Sequence, residues 1–241
     1  MKKLYNKSEL WFSIIWIIAY VLLFSIADGL SEKTGYMKSI TVLVGILLST
    51  IIIIFLKKNN LLEKYGLCSF KGNLKSFLFF IPLLAILTVN LWNGVKMNTS
   101  IINTILFIIS MVCVGFLEEI IFRGFLFVGM SQNSIKSAIV VSSITFGIGH
   151  IVNLLNGEDF VPTLLQVFYA IAIGFLFTIM FYKSKSLIPC IIVHAVFNSL
   201  SIFSVENSSM TLDIITAVFL CVVSIGYALW ILNKTKEVKT E

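Results

Sequence analysis

The chain has 241 residues, of which 58% are hydrophobic and 12% are charged, and its mean hydropathy is +1.00. Since a soluble domain carries about 25% charged residues, this composition excludes an ordinary soluble protein and indicates an integral membrane protein. The net charge of +6 does not indicate nucleic-acid binding, because most lysines lie in short loops between apolar runs. The four cysteines are widely spaced, without a C-x-x-C pair, and are interpreted as buried free thiols.

Eight apolar runs are candidates for membrane-crossing helices, each of which needs about 20 mostly apolar residues. They are predicted at about 11–27, 39–56, 77–92, 101–127, 135–155, 163–182, 187–203 and 212–232. The third run is the weakest, because it is short and contains Pro82 and Asn90. The predicted fold class is therefore all-α, a polytopic membrane helical bundle with about eight transmembrane helices.

Basic residues divide unequally between the two sets of loops that eight spans would create. One set contains both termini and all but three of the 18 basic residues. The other set keeps only Lys33, Lys38 and Lys96, and it is acidic around Asp28 and Glu158. Because basic loops face the cytoplasm, both termini are predicted to be cytoplasmic. No internal repeat or linker interrupts the chain, so residues 1–241 are predicted to form a single membrane domain.

The fourth run ends in the sequence VGFLEEIIFRGFLF, which places two glutamates and an arginine inside an apolar stretch. Glu119 and Arg123 are four residues apart, so they share a helix face and can form an ion pair. Glu118 points in a different direction and is left free to face a reaction centre, as a general base must. The alternative is an interfacial charge cluster where the helix leaves the membrane.

The fifth and seventh runs carry the two histidines of the chain. The sequence SSITFGIGHIVN places Phe146 and His150 on one helix face, with two glycines between them that permit close approach. The sequence IIVHAVFNSL places His194 and Asn198 on one face, where two adjacent donors can stabilise an oxyanion. Considered singly, each of these polar side chains could instead hydrogen-bond between packed helices.

Together the three motifs supply a base, hydrogen-bond donors and a positive charge, which is the set needed to hydrolyse an acyl bond. The same side chains could hold zinc, but the chain has no H-E-x-x-H motif and no helix with two histidines. Intramembrane ionisable residues also serve transporters and proton relays. The absence of an inverted repeat and of paired broken helices argues against that alternative.

The motifs EEIIFRG, FGIGH and HAVFN, in this order on successive apolar runs, resemble the pattern EExxxR, FxxxH and HxxxN of the CPBP family. These CAAX-protease and bacteriocin-processing intramembrane proteases, also called Abi proteins, include the type II CAAX prenyl endopeptidases. The resemblance covers a motif core of about residues 115–198. Every motif position matches, at Glu118, Glu119, Arg123, Phe146, His150, His194 and Asn198.

The resemblance implies an intramembrane endopeptidase in which Glu118 and His150 activate a water for attack on a peptide carbonyl. It implies that His194 and Asn198 then hold the oxyanion. The supporting residues that it implies are Glu119, Arg123 and Phe146. We expect no cofactor, because Asn198 is a poor zinc ligand and a good oxyanion donor, and a zinc-dependent version of the same protease is the alternative.

The expected partners are the lipid bilayer and a peptide or protein substrate, without nucleic acid. The short loops and the lysine- and isoleucine-rich composition favour a bacterial plasma membrane. A small peptide precursor or a membrane-associated protein is then the expected substrate, cut at a site reached from the cytoplasmic side. A non-catalytic protein of bacteriocin self-immunity, or a scaffold, is the remaining alternative.

Overall fold

The computed structural model describes residues 1–155, 157–205 and 209–235, and these residues form helices without any β-strand. The helices are α1 (Lys2–Lys7), α2 (Glu9–Thr34), α3 (Ser39–Lys58), α4 (Ile81–Thr88), α5 (Ile101–Glu118), α6 (Val128–Ser131), α7 (Ile135–Gly149), α8 (Val152–Leu155), α9 (Phe160–Ser184), α10 (Ile188–Leu200) and α11 (Met210–Lys234). A π-helical segment, Glu119–Phe127, joins α5 to α6 without a break. Short 3₁₀ turns flank α4 and follow α10.

Six helical stretches in the described part of the chain are long and apolar enough to cross a membrane. They are Glu9–Thr34, Ser39–Lys58, Ile101–Ser131, Ile135–Leu155, Phe160–Ser184 and Met210–Lys234. The third and seventh predicted spans coincide with two shorter apolar stretches, Leu78–Leu91 and Ile188–Phe203. The all-α polytopic membrane bundle is confirmed, whereas the count of eight spans stays a prediction.

Helix ends follow local sequence signals. Ser8, Ser100 and Ser134 each accept a hydrogen bond from the backbone N–H three residues later, which satisfies one of the free donors at a helix start. Helix α2 ends at Gly35, whose φ of 74° is the left-handed conformation that glycine adopts without strain. These polar caps set the lengths of the apolar helices between them.

One end of the bundle, here called the lysine-rich end, is formed by the chain ends and three connections. It contains the N-terminus, the segments 59–77, 132–134 and 185–187, and the C-terminal end of α11. Lys64 Nζ lies 2.5 Å from Glu9 Oε1, and the Leu187 N–H donates to the Gly66 carbonyl at 2.8 Å. The segment 59–77 is thereby held over this end of the bundle.

The other end, here called the opposite end, is formed by the segments 35–38, 92–100, 150–155, 157–159 and 201–205. Lys38 Nζ lies 2.9 Å from Asp28 Oδ2, and the Asn98 amide donates to the Ser204 carbonyl at 2.8 Å. The two ends hold the two loop sets that differ in basic residues. That the lysine-rich end faces the cytoplasm stays a prediction.

Two helix crossings depend on glycine. A Cβ on Gly147 in α7 would lie 2.3 Å from the Ile171 side chain and 2.8 Å from the Ile171 backbone nitrogen in α9. A Cβ on Gly115 in α5 would lie 2.8 Å from the Ala195 backbone nitrogen in α10. Close backbone approach through small residues is typical of helix packing in membranes. The α5–α10 crossing brings two helices that carry polar motifs into direct contact, and the α7–α9 crossing packs the third motif helix closely against α9.

We expect Gly147→Ala to destabilise the protein by about 1–3 kcal/mol, the usual cost of overpacking, because the added methyl overlaps Ile171. Gly149→Ala is a matched control, since a Cβ there would meet no atom within 4 Å. Thermal unfolding in detergent should give a lower melting temperature for Gly147→Ala alone. Equal melting temperatures for the two variants would contradict this account of the α7–α9 crossing.

Candidate active site

Five residues of the sequence motifs line one cavity of about 390 Å³. They are Glu118, Phe146, His150, His194 and Asn198. The end of α5 contributes the glutamate, the C-terminal end of α7 contributes the phenylalanine and the first histidine, and α10 contributes the last two. Glu119 and Arg123 lie behind the cavity wall with fully buried side chains. Helices that are separate in sequence therefore bring the three motifs to one place.

The backbone changes its hydrogen-bond pattern at the glutamate pair. Helix α5 ends at Glu118, and Glu119–Phe127 is π-helical, a form defined by hydrogen bonds that reach five residues back instead of four. The Glu119 N–H at its start still bonds to the Gly115 carbonyl. Every residue of this segment is buried, and the Ser142 hydroxyl of α7 donates to the Phe122 carbonyl at 2.9 Å. π-Helical turns are rare and often occur at functional sites. The four-residue spacing of the motif had predicted a regular α-helix here, so the π-helical segment was not predicted.

A chain of charged and polar groups connects the π-helix to α10. Glu119 Oε1 lies 3.1 Å from Arg123 Nη1 and 2.8 Å from His194 Nδ1. The Arg123 guanidinium stacks on Phe146, with its Cζ 3.9 Å from the ring centroid, a contact that the ring quadrupole stabilises. Pairing offsets the cost of burying both charges. Glu119 is therefore committed to holding Arg123 and orienting the His194 ring.

The other nitrogen of the His194 ring faces Glu118. His194 Nε2 lies 3.5 Å from Glu118 Oε2, while the Tyr20 hydroxyl donates to Glu118 Oε1 at 2.7 Å. Because Nδ1 donates its proton to Glu119, a neutral ring leaves a lone pair on Nε2. Nε2 of the neutral ring and the Glu118 carboxylate oxygen Oε2 are both hydrogen-bond acceptors, so they repel each other unless a proton lies between them. Glu118 and His194 are therefore positioned to exchange one proton.

His150 is held by a bond to its own helix. Its Nδ1 lies 3.2 Å from the Phe146 carbonyl oxygen. Since a carbonyl only accepts, the proton is assigned to Nδ1, and Nε2 keeps its lone pair. The Phe146 ring separates the two imidazoles, with centroid distances of 5.3 Å to His150 and 5.7 Å to His194. Phe146 thus contacts both histidines and the arginine that supports them.

Asn198 lies one helical turn after His194 and lines the same cavity. Its side chain is half-buried. Within the described ranges, no hydrogen bond of its side-chain amide is found. An amide group offers two N–H donors and one acceptor, so these groups are available to a molecule in the cavity.

Tyr20 is the main site residue that sequence reasoning missed. It belongs to α2, outside the motif core, and shares a helix face with Trp16 and Phe24 in a stripe typical of packing residues. The available signal was its hydroxyl, because a buried tyrosine usually needs a hydrogen-bond partner. Asn153 and Gln166 were also missed, and they line the cavity with their side chains hydrogen-bonded at 2.8 Å.

The side-chain donors do not fit a zinc ion. Across the described residues, no group of three or more His, Cys, Asp and Glu side chains is arranged to hold a metal ion. Glu119 already bonds to Arg123 and His194, and Glu118 accepts from Tyr20. Zinc enzymes hold the ion with about three protein ligands, a set that these residues do not form.

The cavity lies toward the opposite end of the bundle. Its lining includes Asp28, Lys38 and Ser201 from that end. Toward the lysine-rich end its lining stops at Phe122 and Phe177. Of the residues that the structure describes, none from the lysine-rich end lines the cavity. The cavity therefore extends to the opposite end, whereas the sequence led us to expect access from the lysine-rich side, which is predicted to be cytoplasmic.

Comparison with known proteins identifies the segment that carries the site. A family model described as "Type II CAAX prenyl endopeptidase Rce1-like" matches residues 100–200, which include the motif core at 115–198. No curated protein matches the chain, and no solved structure matches it. The matched segment runs from the start of α5 to the end of α10. Residues 100–200 of this membrane protein are therefore similar to the type II CAAX prenyl endopeptidases.

Proposed function

We propose that this protein is an intramembrane endopeptidase that hydrolyses a peptide bond with a water activated by Glu118 and His150. The observation that carries the proposal is the convergence of Glu118, His150, His194 and Asn198 on one cavity inside an apolar bundle. Ionisable residues are expensive in a membrane and mark functional sites by default. The family match over residues 100–200 supports a protease in general, and the roles of individual residues are our proposal.

Glu118 is better suited than Glu119 to be the general base. Glu119 is fully buried and bonds to both Arg123 and His194, whereas the Glu118 side chain keeps 15% of its exposure and lines the cavity. A base must come within one hydrogen bond of the proton that it removes. Of the two carboxylates, only Glu118 can meet a water in the cavity. His150 would accept from the same water through Nε2, the nitrogen that the Phe146 carbonyl leaves free.

His194 and Asn198 are proposed to stabilise the oxyanion of the tetrahedral intermediate. The proton that Glu118 removes from water can pass to His194 Nε2, because the two atoms are 3.5 Å apart. His194 then becomes a donor at the moment when the negative charge forms on the substrate. When the intermediate collapses and the C–N bond breaks, this proton passes to the leaving amine. The Asn198 amide supplies a second donor from the same helix face. Donors held in place before the reaction are effective because no reorganisation is needed during it.

The proposed substrate is a small peptide precursor or a segment of a membrane-associated protein. The cavity volume of about 390 Å³ falls within the range of about 300–1,000 Å³ that is typical of ligand pockets. Aromatic and aliphatic side chains form most of its wall. A hydrophobic segment of a few residues therefore suits the site. The proposed location is a bacterial plasma membrane, in accord with the membrane-spanning helices and the unequal lysine distribution.

We expect Glu118→Gln to lower peptide cleavage by about 100- to 10,000-fold, the contribution of a positioned general base. The assay combines purified protein in liposomes with membrane peptides from cells that lack it, and identifies products by mass spectrometry. Glu32→Gln makes the same change at an exposed position of α2 and should retain full cleavage. Undiminished cleavage by Glu118→Gln would remove Glu118 as the base. If the wild-type protein cleaves no peptide and yet supports full cellular function, the non-catalytic alternative is favoured.

We expect Asn198→Ala to lower kcat by about 100- to 1000-fold, as loss of one oxyanion donor does. KM should change little, because the proposed bond forms only in the transition state. Ser25→Ala, which alters a cavity residue of α2 without removing a proposed donor, is the control. Steady-state kinetics on one product identified in the peptide assay measure both constants. A higher KM with unchanged kcat would assign Asn198 to substrate binding instead.

We expect cleavage to survive treatment with 1,10-phenanthroline, because the described side chains do not form a zinc site. Metal analysis of the active protein should find zinc well below one ion per chain. The opposite result is loss of activity on chelation and recovery with added zinc. That outcome would favour the zinc-dependent version of the protease.

A further inference from the structure

The cavity that holds the candidate site extends from the middle of the bundle to the opposite end. Asp28 and Lys38 line it, and their paired side chains keep 29% and 27% exposure. Gln166 near the start of α9 and Ser201 just after α10 also line it. All four positions lie at or near the opposite end. A molecule that approaches Glu118 from water therefore passes residues of the opposite end.

Packed aromatic side chains close the bundle on the other side of the site. The Phe125 ring in the π-helix lies 5.0 Å from the Phe12 ring and 5.0 Å from the Tyr65 ring, measured between centroids. Phe12 stacks on Phe55 at 5.3 Å. All four side chains are buried. One of them, Tyr65, belongs to the segment 59–77 and packs this segment against the other three. In the described part of the chain, neither this cluster nor that segment contributes to the cavity.

The unequal distribution of lysine identifies the compartment at each end. Basic loops of membrane proteins are retained in the cytoplasm, and the loops of the opposite end keep only three basic residues. We infer that the active site receives its substrate from the extracytoplasmic side. The inference rests on the proposed peptidase function. It changes the substrate class, because the scissile segment must already have crossed the membrane when it is cut.

The wall of the cavity favours a hydrophobic segment in an extended conformation. Phe24, Tyr169 and Phe197 are among its apolar members. Its polar members include the paired amides of Asn153 and Gln166. Amide side chains both donate and accept hydrogen bonds, so they can pair with a peptide backbone irrespective of its side chains. The substrates that fit are secreted hydrophobic peptides and the extracytoplasmic flanks of membrane anchors.

Cysteine labelling in intact cells tests the direction of access. The native thiols of Cys68 and Cys221 are partly exposed, so all four native cysteines are first replaced by alanine. Single cysteines are then introduced as Ser25→Cys and Ser201→Cys, two near-isosteric changes at positions that line the cavity. A membrane-impermeant maleimide is added to the cells. Both cysteines should react without permeabilisation.

The matched control is Ser137→Cys, an exposed position in the first turn of α7 near the lysine-rich end. It should react only after the cells are permeabilised. Labelling of Ser25→Cys with a bulky maleimide should abolish peptide release by intact cells, whereas labelling of Ser137→Cys should leave it unchanged. Each cysteine variant must cleave as well as its cysteine-free parent before labelling, and Ser201→Cys replaces Ser25→Cys if the latter does not fold.

The reversed pattern would overturn the inference: Ser137→Cys labelled in intact cells and both cavity cysteines protected. Failure of the proposed function would look different. In that case the cavity cysteines would label from outside while the purified wild type cleaved nothing in liposomes. Cleavage that depends on Glu118, combined with the reversed labelling, would leave the peptidase intact and return its substrate to the cytoplasmic side.

Discussion

The buried contact between Arg123, Glu119 and His194 constrains the rest of this molecule. A guanidinium and a carboxylate, both with 0% side-chain exposure, can persist inside an apolar bundle only if they stay together. Their pairing fixes one face of the π-helix toward α10, and the Phe146 ring over Arg123 fixes α7 against both. Every residue proposed to act in catalysis lies on, or directly beside, one of these three elements.

The packing around this contact explains why glycine and a π-helical segment occur where they do. The wider π-helix turns Glu119 away from the cavity and leaves Glu118 at its wall. Gly147 allows α9 to approach α7 closely, and a Cβ on Gly174 in α9 would lie 3.2 Å from Arg123 Nη2. Larger side chains at these points would push the helices apart and separate the charges. Local backbone features and buried electrostatics therefore support the same arrangement.

Helical spacing was sufficient to predict the contacts made within one helix. The Glu119–Arg123 pair and the shared face of His194 and Asn198 follow from a separation of four residues. Contacts between helices were not predictable in this way, because they depend on rotation and depth. Spacing therefore did not reveal the bond from Tyr20 to Glu118 or the end at which the cavity lies. The π-helix was missed since its apolar residues suit either helix type.

Tyr20 has a consequence for the assembly of the protein. The family segment begins at residue 100, yet a hydroxyl from α2 completes the surroundings of Glu118. A chain inserted in the membrane but with α2 not yet docked would present Glu118 without that hydrogen bond. Completion of the active site thus depends on the docking of the N-terminal helix α2 against the segment that the family model matches.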